Sequence, residues 1–172
     1  MTSQTASAND PSWAADGATL KLDAFLPYRL NISAHLVSEA LSRIYAGRYK
    51  IGVPEWRVLV MLGEIDMMTA KSLGLLSHMH KTKVSRAVAL LERRKWLTRR
   101  ANRADLREAF LSLTPAGREI YAELAPSALE FARQMMDAID PADREAFCRA
   151  LGKLKERAEK LADDIAKDPD PR

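Results

Sequence analysis

The sequence is short of cysteine, aromatic residues and long apolar runs. One cysteine, Cys148, occurs in 172 residues, and a single thiol excludes a scaffold held by intramolecular disulfides. The longest apolar run, from Val58 to Leu62, is far shorter than the about 20 residues that a helix needs to cross a bilayer. No basic segment followed by an apolar stretch lies near Met1, so no signal peptide is expected. We therefore expect a cytoplasmic protein without a membrane partner, built from about one domain.

The residue arrangements that many enzymes and metal sites need are also missing. The sequence has no glycine-rich phosphate loop and no recognisable activated serine or cysteine, so we expect no enzymatic activity. His78 and His80 lack a nearby cysteine or acidic pair to complete a zinc site, so no metal and no cofactor are expected. Cys148 lies beside Phe147 and is interpreted as a small buried hydrophobic residue rather than a redox sensor.

Charge is unevenly distributed along the chain. The net charge is +4, yet the segment from Lys81 to Arg107 holds ten cations and two anions, Glu92 and Asp105. This segment therefore carries +8, and the rest of the chain sums to −4. A basic segment flanked by acidic ones favours a polyanion bound at one place. The alternative is a solvated helix face, but the anions needed for i,i+4 pairing are almost absent here.

Apolar residues spaced by three and four positions predict a series of helices. A long first helix starts at Leu20 and ends near Gly47–Gly52. A second helix begins at Pro54, and Thr69 is expected to cap a short third helix. The fourth helix extends to about Trp96 and buries an apolar face made of Val84, Val88 and Leu91.

After the fourth helix the pattern changes. Leu97–Arg100 and Ala109–Leu113 are short and partly β-prone, and the polar stretch Ala101–Glu108 between them predicts a hairpin with a charged tip. Thr114 followed by proline starts another helix, and Asp140–Asp143 repeats this start signal for the last one. The predicted fold class is mainly α with a small β-hairpin wing.

The last helix carries a regular apolar stripe whose members are spaced by alternate steps of four and three. This spacing is typical of helices that pair along a narrow interface, and the flanking positions are heavily charged. An amphipathic helix packed on its own core is the alternative. Together with Leu22 and Leu26 of the first helix, the residues predicted to form a subunit interface are Phe147, Leu151, Leu154, Leu161 and Ile165.

Two short helices, a basic helix and a basic hairpin form a winged helix-turn-helix arrangement, in which the basic helix enters the major groove of DNA. Arg86 is placed to bind a guanine edge through two hydrogen bonds. Arg103 and Arg107, at the hairpin tip, suit the minor groove, while Asp105 either holds Arg107 or serves as a turn residue. The candidate contacts in the first turns of the basic helix are Lys81, Thr82, Lys83, Ser85 and Arg86.

The segment from Trp56 to Gly117 resembles the MarR family of bacterial transcription factors, and the likeness extends over about residues 20–166. It depends on the order and spacing of several short motifs, each of them weak alone. They are Phe25-Leu26-Pro27-Tyr28-Arg29-Leu30, Pro54-Glu55-Trp56-Arg57-Val58-Leu59, Lys83-Val84-Ser85-Arg86-Ala87-Val88, Leu91-Glu92, Asp105-Leu106-Arg107 and Leu113-Thr114-Pro115-Ala116-Gly117. Two positions depart from the family: His80 stands where an acidic residue is common, and Trp96 where glycine is common. His80 is therefore expected to be a weaker helix cap.

The resemblance implies a homodimer that represses transcription at double-stranded operator DNA until a small effector binds, such as an aromatic acid or its CoA thioester. Arg29, His35 and Trp56 lie at the family's pocket position. Each also has an ordinary explanation, respectively a dimer salt bridge, a satisfied core histidine and core packing. The implied organisation is a disordered tail (1–19), an N-terminal dimerisation helix (20–52), a winged helix-turn-helix DNA-binding lobe (53–113), C-terminal dimerisation helices (114–166) and a tail (167–172).

Three alternatives remain open at this point. Two are a redox-responsive and a metal-responsive regulator of the same fold. The third is an architectural DNA-binding protein without sequence preference.

Overall fold

A computed structural model describes residues 20–102 and 108–167 and confirms the predicted fold class. The expected N-terminal tail, the tip of the hairpin and the last five residues lie outside the described residues. Among the helices that are described, none is long and apolar enough to span a bilayer. The elements are α1 (Leu26–Tyr49), α2 (Val53–Glu64), β1 (Met67–Thr69), α3 (Ala70–Ser77), α4 (Lys81–Arg93), β2 (Leu97–Ala101), β3 (Ala109–Leu113), α5 (Pro115–Asp137) and α6 (Arg144–Lys167).

Helix α1 begins later than the apolar pattern predicted. Leu22 lies in a turn, and the helix starts only at Leu26, with proline in its first turn. Proline has no amide hydrogen and its ring collides with the preceding helical turn, so Pro27 is tolerated at a helix start and not inside a helix. The prediction that the first helix starts at Leu20 was therefore wrong, and Pro27 was the signal that it overlooked.

The hairpin predicted from the sequence is present and belongs to a sheet of three antiparallel strands. Strand β3 is central, with β2 on one side and β1 on the other. Leu97 pairs with Leu113, and Met68 pairs with Leu111. Strand β1 was not predicted, because three residues are too few to show an alternating pattern.

Two predicted helix starts are confirmed by capping hydrogen bonds. The hydroxyl of Thr69 accepts a hydrogen bond from the amide of Ser72 at 3.1 Å, and that of Thr114 accepts one from Gly117 at 3.1 Å. Helix α4, in contrast, ends at Arg93 rather than near Trp96. Lys95 has a φ of 60°, a left-handed conformation that cannot continue the helix.

The core lies where α2, α3 and α4 pack on the sheet. As predicted, Val84, Val88 and Leu91 form the buried face of α4. They pack with fully buried leucines from the other elements, namely Leu59, Leu62, Leu73 and Leu111. This packing fixes which face of α4 is left to solvent.

The chain divides into two compact units, with the boundary between Pro126 and Ser127. In the second unit, no residue of α6 is buried. Cys148 lies on this helix and is exposed, so the expectation of a buried cysteine was wrong. The side chain was expected to share the burial of Phe147, but Phe147 is itself 41% exposed.

Candidate nucleic-acid interface

The solvent face of α4 is formed by polar and cationic side chains. All five residues that the sequence predicted as DNA contacts on this helix are exposed: Lys81, Thr82, Lys83, Ser85 and Arg86. They occupy its first two turns, opposite the buried apolar face. A helix of this kind can present its N-terminal residues to base edges while its other side stays packed on the protein.

The turn between α3 and α4 sets the direction of the basic helix. His78 ends α3 in a left-handed conformation with a φ of 51°, and the amide of Met79 donates to the carbonyl of Gly74 at 3.1 Å. Met79 is buried, which anchors the turn to the core. A Cβ on Gly74 would lie 3.6 Å from a methyl group of Val84, so the two helices are in close contact.

His80 caps α4 with its imidazole. Its Nδ1 atom accepts a hydrogen bond from the amide of Thr82 at 3.3 Å. This long bond satisfies one of the amides that a helix start leaves unpaired. The first turn of α4 contains no acidic residue, so the partial positive charge of the helix start is not neutralised within the helix. That end of α4 therefore favours an anion.

An open groove of about 930 Å³ separates the α3–α4 pair from the hairpin strands. Lys71 of α3, Lys81 of α4 and Arg99 of β2 line it, and Glu108 is the one carboxylate among the described residues that line it. The groove is also lined by residues at the start of α4, namely His80, Lys81 and Ser85. Its electrostatic character therefore suits a negatively charged chain lying between the basic helix and the hairpin.

Some cations of the basic segment form contacts with other groups of the same chain. Arg99 forms an ion pair with Glu92 of α4 at 2.6 Å, and this hydrogen-bonded pair raises the pKa of Arg99 above its usual value. Arg94 donates to main-chain carbonyl oxygens of the α1 end, and Arg100 points a guanidinium nitrogen at the sulfur of Met67. Counting cations along the sequence therefore overstates the charge that is available to a polyanion.

The tip of the hairpin lies outside the described residues. The described part is closed by a hydrogen bond from the amide of Asn102 to the carbonyl of Glu108 at 3.2 Å. The roles of Arg103, Asp105 and Arg107 stay predictions.

The three residues predicted to bind an effector lie in different surroundings. Trp56 is buried and stacks on Tyr45 of α1, with ring centroids 5.1 Å apart. His35 is 72% exposed at its side chain and faces Glu39. Ten and sixteen residues separate Tyr45 from His35 and Arg29, which at 1.5 Å per residue places them about 15 and 24 Å away along α1. None of the three lines the groove described above, and their effector roles stay predictions.

Most of the residues predicted to form a subunit interface are exposed in the single chain, whereas Leu26 is half-buried. On α6, the exposed fractions range from 38% for Leu154 to 58% for Ile165. Leu22, in the turn before α1, is 56% exposed. The assignment of these residues to an interface stays a prediction.

Comparison with known proteins identifies a family model, a relative and solved structures to which this chain is similar. Residues 49–108 match the model of the MarR family. A relative, the uncharacterised HTH-type transcriptional regulator YwoH of Bacillus subtilis (strain 168), is 27% identical over 122 residues, which are 71% of this chain and 88% of YwoH.

A similar solved structure is Sco3205, a MarR family transcriptional regulator from Streptomyces coelicolor in complex with DNA. Its TM-score is 0.71 at 24% identity, over 81% of this chain and 89% of that one. Another is BpsR of Bordetella bronchiseptica, whose DNA binding is regulated by 6-hydroxynicotinic acid. Its TM-score is 0.71 at 20% identity, over 80% and 98% of the two chains.

Proposed function

We propose that this chain, which belongs to the MarR family of winged helix-turn-helix proteins, is a homodimeric repressor that a small effector releases from operator DNA. Members of this family are DNA-binding transcription regulators and not enzymes. The observation that carries the proposal is the division of α4 into a buried apolar face and an exposed face of cations and hydroxyls at its start.

In the proposed complex, the start of α4 enters the major groove. Arg86 binds a guanine edge, while Lys81, Thr82, Lys83 and Ser85 contact phosphates or bases. One sugar–phosphate strand follows the groove between α4 and the hairpin, where Lys71 and the partial positive charge at the start of α4 attract it. The hairpin tip reaches the minor groove through Arg103 and Arg107, with Asp105 supporting Arg107.

A second copy of the chain is proposed to cover the exposed apolar residues of α6. The stripe of Phe147, Leu151, Leu154, Leu161 and Ile165 has the spacing of a helix-pairing interface and is not covered within the chain. Leu22 and Leu26 are proposed to belong to the same dimer interface, as the family resemblance implies. A dimer would place two basic helices on a pseudo-palindromic operator.

The effector is proposed to be an aromatic acid or its CoA thioester. The fold-level likeness to BpsR, which responds to 6-hydroxynicotinic acid, supports an aromatic carboxylate as the chemical class. Arg29 and His35, both exposed on α1, are proposed to bind polar groups of such a ligand. Trp56 is proposed as an aromatic contact, although in this structure it is buried against Tyr45, which lies far along α1 from the other two. Release of DNA by the effector would make the chain a ligand-responsive regulator, and lower transcription of the regulated gene in the DNA-bound state would make it a repressor.

The test is binding to the DNA upstream of the chain's own gene, compared with a scrambled duplex of equal length. Affinity is measured over a range of salt concentrations, with and without a panel of aromatic acids and their CoA thioesters. We expect specific binding that weakens steeply with salt and that one compound abolishes. No preference for the upstream duplex would contradict an operator-binding regulator and favour the architectural alternative.

Two lysine variants provide a matched control. Lys83→Ala should weaken binding and reduce the slope of log affinity against log salt by about 1, as expected for one lost phosphate contact. Lys153→Ala removes the same charge from α6 and should change neither quantity. Specific binding that no compound releases would leave the DNA-binding role intact and remove the aromatic effector from the proposal.

A further inference from the structure

Arg94 belongs to the basic segment by sequence, yet its side chain points away from the solvent face of α4. One guanidinium nitrogen donates to the carbonyl of Tyr49, and the other donates to the carbonyl of Lys50 at 2.9 Å. These carbonyls lie at the C-terminal end of α1, more than forty positions earlier in the chain. Arg94 therefore connects the end of α1 to the end of the basic helix.

The chemistry of this contact is favourable at both partners. The last carbonyl groups of a helix lack intrahelical donors and carry partial negative charge. The fork of an arginine can satisfy two acceptors at once, which a lysine cannot do in the same geometry. Lys50 is left-handed with a φ of 50°, so the chain turns sharply at this point. Arg94 stabilises that turn.

Aromatic side chains extend the contact to the hairpin. The guanidinium carbon of Arg94 lies 5.0 Å from the ring centre of Trp96, and Tyr49 meets the same ring edge-on at 6.1 Å. The carbonyl of Trp96 accepts a hydrogen bond from the amide of Thr114 at 3.0 Å, at the end of the hairpin. Tyr49, Lys50, Arg94 and Trp96 are called the Arg94 junction below.

We propose that Arg94 is a positioning residue for DNA binding: through the Arg94 junction it holds the basic helix and the hairpin in their orientation relative to α1, without touching DNA. The inference rests on the proposed function, because α4 and the hairpin are there the DNA-contacting elements. The inference assigns Arg94 a role that its place in a run of cations does not suggest. The charge of Arg94 is placed at the end of α1 and not at the DNA interface.

The test compares Arg94→Ala with Arg94→Lys and with Arg93→Ala, which removes an exposed neighbouring cation. We expect Arg94→Ala to weaken operator binding by at least about tenfold, the scale of losing charge-assisted hydrogen bonds. The salt slope should stay that of the unmodified chain, because no phosphate contact is lost. Arg94→Lys keeps the charge and should still bind several-fold more weakly than the unmodified chain. Circular dichroism and thermal unfolding verify that each variant is folded at the temperature of the binding assay.

The alternative outcomes are distinct. A salt slope reduced by about 1 in Arg94→Ala, with full affinity in Arg94→Lys, would make Arg94 a phosphate contact and overturn the proposal. Equal losses of operator affinity in Arg94→Ala and Arg93→Ala would show that Arg94 acts through its charge alone. That result would overturn the proposal as well.

Hydrogen exchange supplies a readout that does not need DNA. Arg94→Ala should speed exchange of the amides of Lys50 and Trp96, while the amide of Leu62 in the core keeps its rate. Unchanged exchange at Lys50 and Trp96 would contradict the junction. If the unmodified chain binds neither duplex, the proposed function fails, and exchange still decides whether Arg94 couples the two helix ends.

Discussion

The imidazole of His80 occupies a position where helices usually begin with a hydroxyl or carboxylate. The bond from its Nδ1 to the amide of Thr82 is long, at 3.3 Å, so we expect a modest cap. His80→Ala should lower the free energy of unfolding by about 0.5–1 kcal/mol, toward the small end of measured N-cap losses. Denaturant unfolding measures this change.

A matched control is His35→Ala, which removes an exposed histidine that faces Glu39. Its effect should stay within about 0.5 kcal/mol, as is usual for surface substitutions. Equal effects of the two variants would show that the contact of His80 with Thr82 does not cap the helix.

Arg86 is expected to contribute to sequence preference. It is exposed in the second turn of α4 and makes no ion pair among the contacts found in the described residues. Arg86→Ala should reduce the preference for operator over scrambled DNA by about 1–3 kcal/mol, the value of one guanine contact. Competition binding with both duplexes measures this preference. An equal loss of affinity for both would reduce Arg86 to a phosphate contact.

Residue burial was predictable where it depends on local periodicity. The exposed and buried faces of α4 follow from the positions of Val84, Val88 and Leu91, since a helix has only one apolar side to bury. The contacts of Arg94 were not predictable, because they join it to carbonyls more than forty positions away. The exposure of Cys148 was also missed. Its burial was expected because Phe147 lies beside it, but the apolar stripe that contains Phe147 is exposed in the single chain.

At the scale of elements, errors arose where one residue outweighed the pattern around it. Pro27 sets the start of α1, and the left-handed Lys95 prevents α4 from reaching Trp96. Strand β1 exists because the central strand β3 offers it a hydrogen-bonding edge, a condition that no segment of three residues reveals by itself. The hairpin and the capped helix starts were predicted, since their signals are local.

The junction between the hairpin and α5 leaves no room for a side chain at Gly117. A Cβ there would overlap the carbonyl oxygen of Trp96, the atom that also binds the amide of Thr114. Gly117→Ala should therefore destabilise the fold by about 2–3 kcal/mol, in the range of overpacked sites. Thermal unfolding measures the loss.

Gly47→Ala is the opposite control, because a Cβ on Gly47 of α1 would meet nothing within 4 Å. Alanine in a helix is favoured over glycine by about 0.5–1 kcal/mol, so this variant should be stabilised. A Gly117→Ala variant as stable as the unmodified chain would contradict the close approach to Trp96.

At the scale of the whole molecule, the interface proposed on the apolar stripe of α6 predicts that the chain is a dimer. Leu154 lies near its middle and is 38% exposed, and the stripe continues for about two turns toward Phe147 and about three toward Ile165. Leu154→Glu places a charge in the centre of the proposed interface, where burial without a partner is costly. We expect sedimentation to show a dimer for the unmodified chain and a monomer for this variant. Glu156→Lys, on the far side of the helix, should stay dimeric.

Because each protomer is proposed to contribute one basic helix, the monomeric variant should also lose most of its operator affinity while remaining folded. A monomeric unmodified chain, or a Leu154→Glu variant that remains a dimer, would contradict the assignment of this stripe to the interface.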